Sequence, residues 1–353
     1  MTNPCDGKRR RARMAALVGL LAVAACGRGA DDDVVGERLS RRPVDPASVT
    51  VSGISSGGAM AVQFHVAYSG VVHGAGVLAA PPYLCAEASV TNGLGRCMKG
   101  EPPIPTARLV ERTRQLAAEG AIDAVGGLQD DRVWIFRGAA DPYVAVAVAD
   151  ALEAHYRAFV DPANVVRVEL PGAGHTFPTA DAGAAACTAS ASPFLGNCGL
   201  DGAATLLGHL YGELAPGSEP LPTGLVEFDQ LPYAGDAGSA GLAAKGLLYV
   251  PRACSADTEG GCRLHVVFHG CKQGRSFVGD AFVRRSGYLP VAEANRIVLL
   301  FPQIEPSFQP LNAFGCWDWW GYEDENYASR DGRQLRAVRA MVADLLGEAR
   351  PTP

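Results

Sequence analysis

The sequence has no basic run beyond its first 13 residues, and this shortage excludes one large class of function. The 353 residues include 31 basic and 37 acidic side chains, a formal net charge of −6 at pH 7. Residues 1–25 hold five of the basic and one of the acidic residues, so 26 basic and 36 acidic residues follow them, a net charge of −10. Binding to nucleic-acid phosphates requires clustered positive charge. We therefore expect no nucleic-acid partner.

The N-terminal apolar run is too short to cross a membrane. Met14–Ala25 follows five basic residues between positions 8 and 13, and a transmembrane helix needs about 20 apolar residues. A positive stretch followed by a short apolar one is typical of an export signal. We therefore interpret residues 1–25 as a signal peptide, outside the fold.

The end of this signal indicates a lipid anchor. Val23-Ala24-Ala25-Cys26 is similar to the bacterial lipobox, in which the cysteine is acylated after cleavage, although an ordinary cleavage site beside a chance cysteine is the alternative. Asp31–Asp33 then begin a polar stretch, and residues 26–46 are predicted to be a disordered tether. The protein is expected to be exported, as a cell-surface or periplasmic lipoprotein or in secreted form, with membrane contact only through Cys26.

Zinc-type cysteine spacing is absent as well. The ten cysteines include no Cys-x-x-Cys pair and no Cys/His cluster at zinc spacing, so we expect no metal site. Apart from Cys5 and Cys26 eight remain, and an even number in an exported protein indicates disulfides. Many pairings are possible. Loop length favours Cys85–Cys97, Cys187–Cys198 and Cys254–Cys262, which leaves Cys271–Cys316.

The segment Gly53–Gly58 reads Gly-Ile-Ser-Ser-Gly-Gly and carries most of the functional signal. It follows the short β-branched run Val49–Ser52 and precedes a proline-free segment, Ala59–Ser69, that predicts a helix. A strand, a Gly-x-Ser-x-Gly turn and a helix together make a nucleophile elbow. Glycines are needed where a Cβ would clash in so tight a turn. The pattern predicts an exposed Ser55 hydroxyl; the alternative is an ordinary Gly/Ser-rich loop.

Two further candidates follow predicted strands. The strand Arg132–Gly138 leads to Asp141, and the strand Val165–Leu170 leads to His175 on a glycine-rich loop. Functional residues of α/β folds lie at such carboxyl ends of strands. Asp141 could instead cap the following helix, and a single histidine is more often structural.

The order Ser55, Asp141, His175 nevertheless matches the Ser-Asp-His order of α/β-hydrolases. In that chemistry the histidine takes the proton of the attacking serine, and the aspartate orients the imidazole and stabilises its charged form. Four other histidines are poorer candidates. His65 and His155 lie in predicted helices, and His73 and His209 have no acidic loop paired with them.

The second half of the chain is rich in predicted strands. Three are expected at Gly246–Val250, Arg263–Phe268 and Arg296–Phe301, with a helix over about 281–294 and a closing amphipathic helix. The apolar face of that last helix contains Leu335, Val338, Met341, Val342 and Leu345. Residues 178–245 give weak signals and are predicted to be a surface excursion that leads to this second half, with a helix expected over Ala203–Leu214.

The order of these segments indicates a rearranged fold. The Arg263–Phe268 strand ends in His269-Gly270, an oxyanion-type segment that precedes the elbow in an ordinary α/β-hydrolase. We therefore predict a circularly permuted α/β-hydrolase fold with a mostly parallel central sheet and helices on both faces. A single catalytic domain is expected over residues 47–350, since nearby termini at a domain surface make permutation tolerable.

Three motifs carry a family resemblance that covers about residues 47–350. Gly-Ile-Ser-Ser-Gly-Gly at 53–58, His-Val-Val-Phe-His-Gly-Cys-Lys-Gln at 265–273 and Gly-Cys-Trp-Asp-Trp-Trp-Gly-Tyr at 315–322 are similar to segments of extracellular short-chain-length polyhydroxyalkanoate depolymerases. The segment 225–233 fits as well. The match is to the type (type 2) whose catalytic domain is circularly permuted.

The resemblance implies a serine esterase that hydrolyses poly(3-hydroxybutyrate) and related short-chain polyesters through an acyl-enzyme, without a cofactor. It assigns Ser55 as nucleophile, His175 as base and Asp141 as its orienting partner. It places the oxyanion hole at the backbone N–H groups of Ser56 and Cys271. The tryptophans that it implies for the ester-binding crevice are Trp317, Trp319 and Trp320, of which at least one is expected in the core because three in four residues cannot point the same way.

The chain departs from the family pattern at two points, and two alternative functions remain open. Ser286–Pro290 lacks the Asn and Trp expected after its tyrosine, and no Thr-rich linker or polymer-binding domain is seen, so adsorption is expected on the catalytic domain itself. One alternative is an esterase of small or plant-derived esters, feruloyl or acetyl, on the same fold. The other is a non-catalytic surface lipoprotein that binds polymer or carbohydrate, against which the intact set of Ser55, Asp141 and His175 argues.

Overall fold

A computed structural model describes residues 38–235, 238–255 and 261–350 of the chain. The signal peptide predicted for residues 1–25 and the lipidation predicted at Cys26 lie outside the described residues.

The described residues form strands and helices in alternation. The strands are β1 Val44–Ile54, β2 Gly74–Leu78, β3 Arg132–Gly138, β4 Val165–Leu170, β5 Phe177–Thr179, β6 Ala185–Ala186, β7 Leu195–Asn197, β8 Leu225–Asp229, β9 Lys245–Tyr249, β10 Cys262–Phe268, β11 Ile297–Phe301, β12 Ser307–Phe308 and β13 Leu311–Asn312. The α-helices are α1 Ser56–Ala67, α2 Val90–Leu94, α3 Arg96–Lys99, α4 Thr106–Ala118, α5 Val146–Tyr156, α6 Gly202–Tyr211, α7 Arg275–Val278, α8 Ala281–Arg285, α9 Tyr288–Asn295 and α10 Arg333–Leu346. Short 3₁₀ turns lie at Val125–Leu128, Pro162–Asn164, Leu231–Tyr233 and Arg252–Cys254.

Eight strands form one sheet in the order β4-β3-β2-β1-β10-β11-β9-β8. The pairs from β4 across to β11 are parallel, and β9 is antiparallel to both of its neighbours. The central strands are buried along their length, and such strands read as continuous apolar runs rather than alternating ones. The fold is therefore an α/β sheet of the α/β-hydrolase type.

The elbow strand β1 and the oxyanion-type strand β10 are neighbours in the sheet, although β1 ends at Ile54 and β10 begins only at Cys262, 208 positions later. β1 pairs with β10 in parallel, with Gly53 opposite Phe268. His269 and Gly270 therefore leave the sheet beside Ser55. This adjacency is what the circular permutation expected from the sequence requires.

Two hydrophobic cores cover the two faces of the sheet. One face packs against α1 and the amphipathic α10, whose predicted apolar residues are all buried. The other face packs against α6 and α9, through residues such as Leu206, Leu207 and Tyr288. Burying both faces makes the sheet a rigid support for the loops at its carboxyl edge.

Four disulfides join the cysteine pairs that loop length favours: Cys85–Cys97, Cys187–Cys198, Cys254–Cys262 and Cys271–Cys316. Disulfides form and persist in oxidising compartments, so they fit an exported protein.

Three predictions about the fold are wrong. The tether does not extend to residue 46, because β1 begins at Val44, the Leu39 side chain is buried, and the Arg42 N–H donates to the Leu345 carbonyl. The single helix predicted over 281–294 is two helices, α8 and α9, because Gly287 between them has a φ of 93°.

The third wrong prediction concerns residues 178–245, which are more than a surface excursion, although the helix expected over Ala203–Leu214 is confirmed as α6. This segment supplies α6, whose leucines lie in the core, and β8, which closes one edge of the main sheet. It also contains a small sheet in the order β5-β7-β6, in which the Cys187–Cys198 disulfide joins the residue after β6 to the residue after β7. Its Gly- and Ala-rich composition hides the apolar periodicity by which helices and strands are predicted.

Candidate active site

Ser55 is the one residue between Val49 and Ser69 that is not buried. It sits between β1 and α1 with a φ of 59°, the strained turn that defines a nucleophile elbow. A Cβ on Gly53 would lie 2.2 Å from the Gly57 carbonyl oxygen, and one on Gly57 would lie 2.3 Å from the Phe268 carbonyl oxygen. Both positions therefore require glycine, and the turn lifts the Ser55 side chain out of a buried region.

Asp141 and His175 form a direct pair at the same edge of the sheet. The His175 Nδ1 lies 2.7 Å from the Asp141 Oδ2, and both side chains are largely buried. The other carboxylate oxygen, Oδ1, accepts hydrogen bonds from the N–H groups of Tyr143 at 2.8 Å and Val144 at 2.9 Å. The carboxylate therefore has a fixed orientation, with its second oxygen directed at the imidazole.

The same contacts set the ionisation of Asp141. Burial acts to raise its pKa, but the hydrogen bonds from His175 and from the two backbone N–H groups outweigh burial, and the pKa of Asp141 lies below its ordinary value. Asp141 is therefore a carboxylate, the form that holds a proton on the facing Nδ1 and leaves Nε2 as the basic atom.

Two aromatic rings confine the His175 imidazole. Tyr143 and Phe194 meet it edge to face, with centroid distances of 5.2 and 6.2 Å. The His175 N–H also donates to the Ser190 hydroxyl at 2.8 Å. The imidazole is thus held by a carboxylate, by two rings and through its own backbone.

Two backbone N–H groups beside Ser55 have no hydrogen-bond acceptor among the described residues: those of Ser56 and Cys271. Ser56 is the first residue of α1, and the first N–H groups of a helix lack intrahelical partners and favour negative charge. A Cβ on Gly270 would lie 3.4 Å from the Ser55 Cβ, so the loop that carries Cys271 touches the serine. The Cys271–Cys316 disulfide ties this loop to the tryptophan-rich segment.

These groups lie at one edge of the sheet, but not all of them are in hydrogen-bond contact. Ser55, Asp141, His175 and Gly270 follow the carboxyl ends of β1, β3, β4 and β10. Within the described residues the Ser55 hydroxyl makes no hydrogen bond to His175. Without substrate, catalytic hydrogen bonds are often long and tighten only in the reacting complex.

The three tryptophans divide between core and surface. Trp317 is fully buried, with its ring 5.0 Å from that of Phe268. The expectation that at least one of the three lies in the core is confirmed, and the assignment of Trp317 to the binding crevice is wrong. Trp319 and Trp320 are half-buried and meet edge to face at 5.3 Å beside Gly93. Only these two expose area that a ligand could contact.

Asp318 organises this segment and was not singled out from the sequence. Its buried carboxylate accepts hydrogen bonds from the N–H groups of the next turn, residues 321–324, at 2.7 to 3.3 Å. Burial nevertheless raises the pKa of Asp318 to about 6. An acidic residue among three tryptophans was the sequence signal that could have indicated a carboxylate with a structural role.

Two other histidine clusters lie away from this site. His73 has an acidic partner that the sequence reading missed: its Nδ1 lies 3.7 Å from Asp131 Oδ1, and the buried His65 contacts the other oxygen at 2.9 Å. This group precedes β2 and β3, at the edge of the sheet opposite Ser55. His265 is fully buried between the hydroxyls of Thr50 and Ser52, each 2.7 Å away, and burial lowers its pKa to about 3. It is a neutral core residue that no substrate reaches.

Other kinds of site find no support in residues 38–235, 238–255 and 261–350. No three His, Cys, Asp or Glu side chains there are grouped so as to hold a metal ion. Nor does this part of the chain contain a helix that combines the length and apolarity needed to cross a membrane.

The fold and this constellation together define a class: an α/β-hydrolase with a serine elbow and an Asp–His pair. Comparison with known proteins narrows the class. The chain is 44% identical over 324 residues to a poly(3-hydroxybutyrate) depolymerase of Delftia acidovorans. The match covers 91% of this chain and 64% of that protein, so the chain spans less than two thirds of that relative's length. It is 36% identical over 319 residues to a polyhydroxybutyrate depolymerase of Talaromyces funiculosus, which covers 86% of this chain and 91% of that one. The chain belongs to the polyhydroxybutyrate depolymerase family.

Solved structures agree with this assignment. A crystal structure of a PHB depolymerase from Penicillium funiculosum matches with a TM-score of 0.81 and 34% identity, over 88% of this chain and 99% of that one. A serine-to-alanine variant of a PHB depolymerase in complex with an R3HB trimer matches with a TM-score of 0.81 and 33% identity, at the same coverage. No protein-family model matches the chain.

Proposed function

We propose that this protein is a serine esterase that hydrolyses poly(3-hydroxybutyrate) and related short-chain polyesters through an acyl-enzyme. The observation that carries the proposal is the Asp141–His175 hydrogen bond of 2.7 Å at the sheet edge where Ser55 is partly exposed. The family membership supports the substrate class, since the relatives are named for this polymer and one was solved with an R3HB trimer.

The mechanism that we assign to these residues begins with proton transfer. His175 Nε2 takes the hydroxyl proton of Ser55 as the oxygen attacks the ester carbonyl, because an unassisted serine hydroxyl is a weak nucleophile at neutral pH. Asp141 keeps Nδ1 protonated and stabilises the imidazolium that forms. The negative charge on the carbonyl oxygen is stabilised by the N–H groups of Ser56 and Cys271, donors already in place before the reaction.

Collapse of the tetrahedral species completes the first half of the reaction. The proton on His175 passes to the leaving alkoxide, which departs as the hydroxyl end of the shortened polymer. A 3-hydroxyacyl group remains on Ser55. His175 then removes a proton from water as the water attacks the acyl carbonyl. It returns this proton to the Ser55 oxygen as the acyl–oxygen bond breaks, which releases the acid and restores the serine.

We further propose that the polymer adsorbs to a surface that we call the apolar hairpin, defined as Phe308 of β12, Leu311 of β13, Phe314 just after β13 and Phe277 of α7. Phe308 and Leu311 are 85% and 69% exposed, and large apolar side chains clustered on a surface mark interaction sites. Phe314 accepts a hydrogen bond on its carbonyl oxygen from the Lys272 N–H at 2.7 Å, which anchors the hairpin beside Cys271. Adsorption there would hold polymer chains next to the active site.

We also propose that the protein is exported and held at the cell surface or in the periplasm by a lipid on Cys26. The four disulfides support an oxidising location. The lipid anchor rests on the sequence pattern alone.

The proposed function is tested by the clearing of a poly(3-hydroxybutyrate) suspension. The mature chain and its Ser55→Ala variant are compared on the suspension and on soluble p-nitrophenyl butyrate. Clearing that is lost in the variant supports both substrate and nucleophile. Serine-dependent cleavage of the soluble ester without clearing would instead identify an esterase of small esters, and no serine-dependent activity on either would reject the enzyme.

A further inference from the structure

Gln273 is a buried side chain that joins the two loops on which the proposed chemistry depends. Its Oε1 accepts a hydrogen bond from the Gly270 N–H at 2.8 Å. Its Nε2 donates to the carbonyl oxygens of Pro193 at 3.0 Å and Phe194 at 3.4 Å. An N–H faces one end of the amide and carbonyl oxygens face the other, which determines its orientation. One side chain therefore links the loop after β10 to the loop before β7.

At one end of this link lies the peptide that supplies a proposed oxyanion donor. The His269 Nδ1 lies 2.8 Å from the Gly270 carbonyl oxygen, and the His269 Nε2 accepts from the Ile304 N–H at 3.1 Å, so Nδ1 carries the proton. The Gly270 carbonyl and the Cys271 N–H belong to one planar trans peptide and point in opposite directions. The hydrogen bond from His269 therefore sets the direction of the Cys271 N–H.

Gln273 constrains the preceding peptide, between His269 and Gly270, through the Gly270 N–H. Both peptides that flank Gly270 are thus held by buried side chains. Gly270 has no side chain of its own to restrict rotation, so these two hydrogen bonds replace that restriction.

At the other end of the link lies the wall beside His175. The Phe194 ring meets the imidazole edge to face at 6.2 Å, and the Phe194 carbonyl oxygen also accepts from the Phe177 N–H at 2.8 Å. Ser190, on the same loop, receives the His175 N–H. The Nε2 group of Gln273 therefore holds the segment against which the imidazole packs.

We propose that Gln273 is a positioning residue that keeps the oxyanion donor of Cys271 in register with the His175 loop. The proposal rests on the proposed function, since it assigns a further residue to the same reaction. Gln273 does not touch the reacting atoms. Its loss should disorder the donor at the stage where charge develops on the ester oxygen, and so lower kcat rather than raise KM.

The variant that tests this is Gln273→Met, which keeps the length of the side chain and removes both halves of the amide. Deleting an oxyanion donor outright lowers kcat by roughly 100- to 1,000-fold in a comparable enzyme. A donor that is present but less well directed should cost less, about 10- to 100-fold in kcat on p-nitrophenyl butyrate. KM should stay within about twofold, because ground-state binding is not changed. Phosphonylation of Ser55 by a p-nitrophenyl phosphonate, whose P=O also needs the oxyanion hole, should slow in parallel.

A matched control comes from Gln230, which is equally buried and equally hydrogen-bonded. Its Oε1 accepts from the Gln303 N–H at 2.9 Å, and its Nε2 donates to the carbonyl oxygens of Ala243 and Gln303 at 2.8 and 2.9 Å. Gln230→Met should lower the thermal midpoint about as much as Gln273→Met and leave kcat within about twofold of the wild type.

The outcomes separate this proposal from the proposed function. If the wild-type protein shows no Ser55-dependent cleavage of p-nitrophenyl butyrate, the proposed function itself fails. If it does, a Gln273→Met variant with wild-type kcat, or a Gln230→Met variant with an equal loss, overturns the role of Gln273. Should Gln273→Met not fold, Gln273→Glu keeps the acceptor for Gly270 and decides the point: at least a fivefold loss of kcat at constant KM supports the link, and wild-type kcat refutes it.

Discussion

The Asp141 carboxylate divides its two oxygens between His175 and the backbone. Oδ2 lies 2.7 Å from His175 Nδ1, and Oδ1 accepts the N–H groups of Tyr143 and Val144. The sequence offered two readings of this residue, a partner of histidine or a cap of the next helix. Both interpretations are partly correct. The backbone of the turn before α5 orients the Asp141 carboxylate, and the carboxylate in turn orients the imidazole.

Replacing Asp141 by Asn should lower kcat by about 10,000-fold, as the equivalent change does in a serine protease. An amide can present its N–H₂ to Nδ1, which favours the imidazole tautomer whose Nε2 carries the proton and cannot act as base. Hydrolysis of p-nitrophenyl butyrate measures the loss. The thermal midpoint serves as the control. If the loss of activity is explained by loss of folded protein, Asp141 has no role in the mechanism.

Removing the Cys271–Cys316 disulfide should cost both stability and turnover. It closes a loop of 45 residues and Cys254–Cys262 one of 8; by loop entropy these correspond to roughly 4 and 2.5 kcal/mol of unfolding free energy. Only the first touches the loop of the proposed oxyanion donor. Paired Cys→Ser variants of each, compared by urea unfolding and by kcat, should show a loss of turnover for Cys271/Cys316 alone. Equal kcat values for the two variants would contradict a role of this disulfide in the active site.

The apolar hairpin should matter for polymer and not for soluble ester. Phe308→Ser combined with Leu311→Ser removes two highly exposed apolar side chains, so we expect at least a fivefold slower clearing of polymer suspension and unchanged hydrolysis of p-nitrophenyl butyrate. Val166→Ser on β4 and Val226→Ser on β8, also exposed, are the matched control. If the control pair slows clearing by the same factor, the cause is a general loss of surface hydrophobicity and not the loss of the apolar hairpin.

The His73–Asp131 contact should make stability depend on pH. The Asp131 carboxylate raises the pKa of His73 above its ordinary value of 6.5. A raised pKa in the folded state gives stability that is fully present below the unfolded pKa and is lost as pH rises through the folded one. Because the His73 side chain is 39% exposed, solvent screens the contact and we expect it to contribute at most about 1 kcal/mol to the free energy of unfolding.

The measurement is urea unfolding of the wild type and His73→Gln at pH 5.5 and 8.5, with a larger stability difference at the lower pH. His209 provides an opposite control, because burial lowers its pKa, so His209→Gln should gain relative stability as pH falls. The same trend for both variants would rule out the Asp131 contact as the cause.

Elements with strong local signals were predicted well from the sequence. β3 and β4 have the predicted bounds, Arg132–Gly138 and Val165–Leu170, because apolar and β-branched runs between turn residues specify strands without reference to the rest of the chain. The elbow was recognisable for a similar reason: its glycines are required by contacts within the turn and with the adjacent strand, so the pattern appears in the sequence itself.

Elements that depend on distant partners were not predictable in this way. β8 carries a weak local signal and forms because the main sheet offers an open edge. The helix expected over Ala203–Leu214 is confirmed as α6, but its place in the core follows from the uncovered face of that sheet. The division of the tryptophans, with Trp317 in the core and Trp319 and Trp320 half-exposed, depends on how Asp318 turns the backbone between them.

The sequence by itself determined the fold class, the serine elbow, the cysteine pairs that loop length favoured and the order of the candidate triad, because each of these follows from local pattern or spacing. Only the tertiary structure decided which groups meet. The 2.7 Å contact of Asp141 with His175, the Gln273 link and the placement of Cys271 beside Ser55 all join segments between 34 and 216 positions apart. Such contacts arise from the packing of parallel strands whose carboxyl ends share one edge, and no local pattern encodes the distances between them.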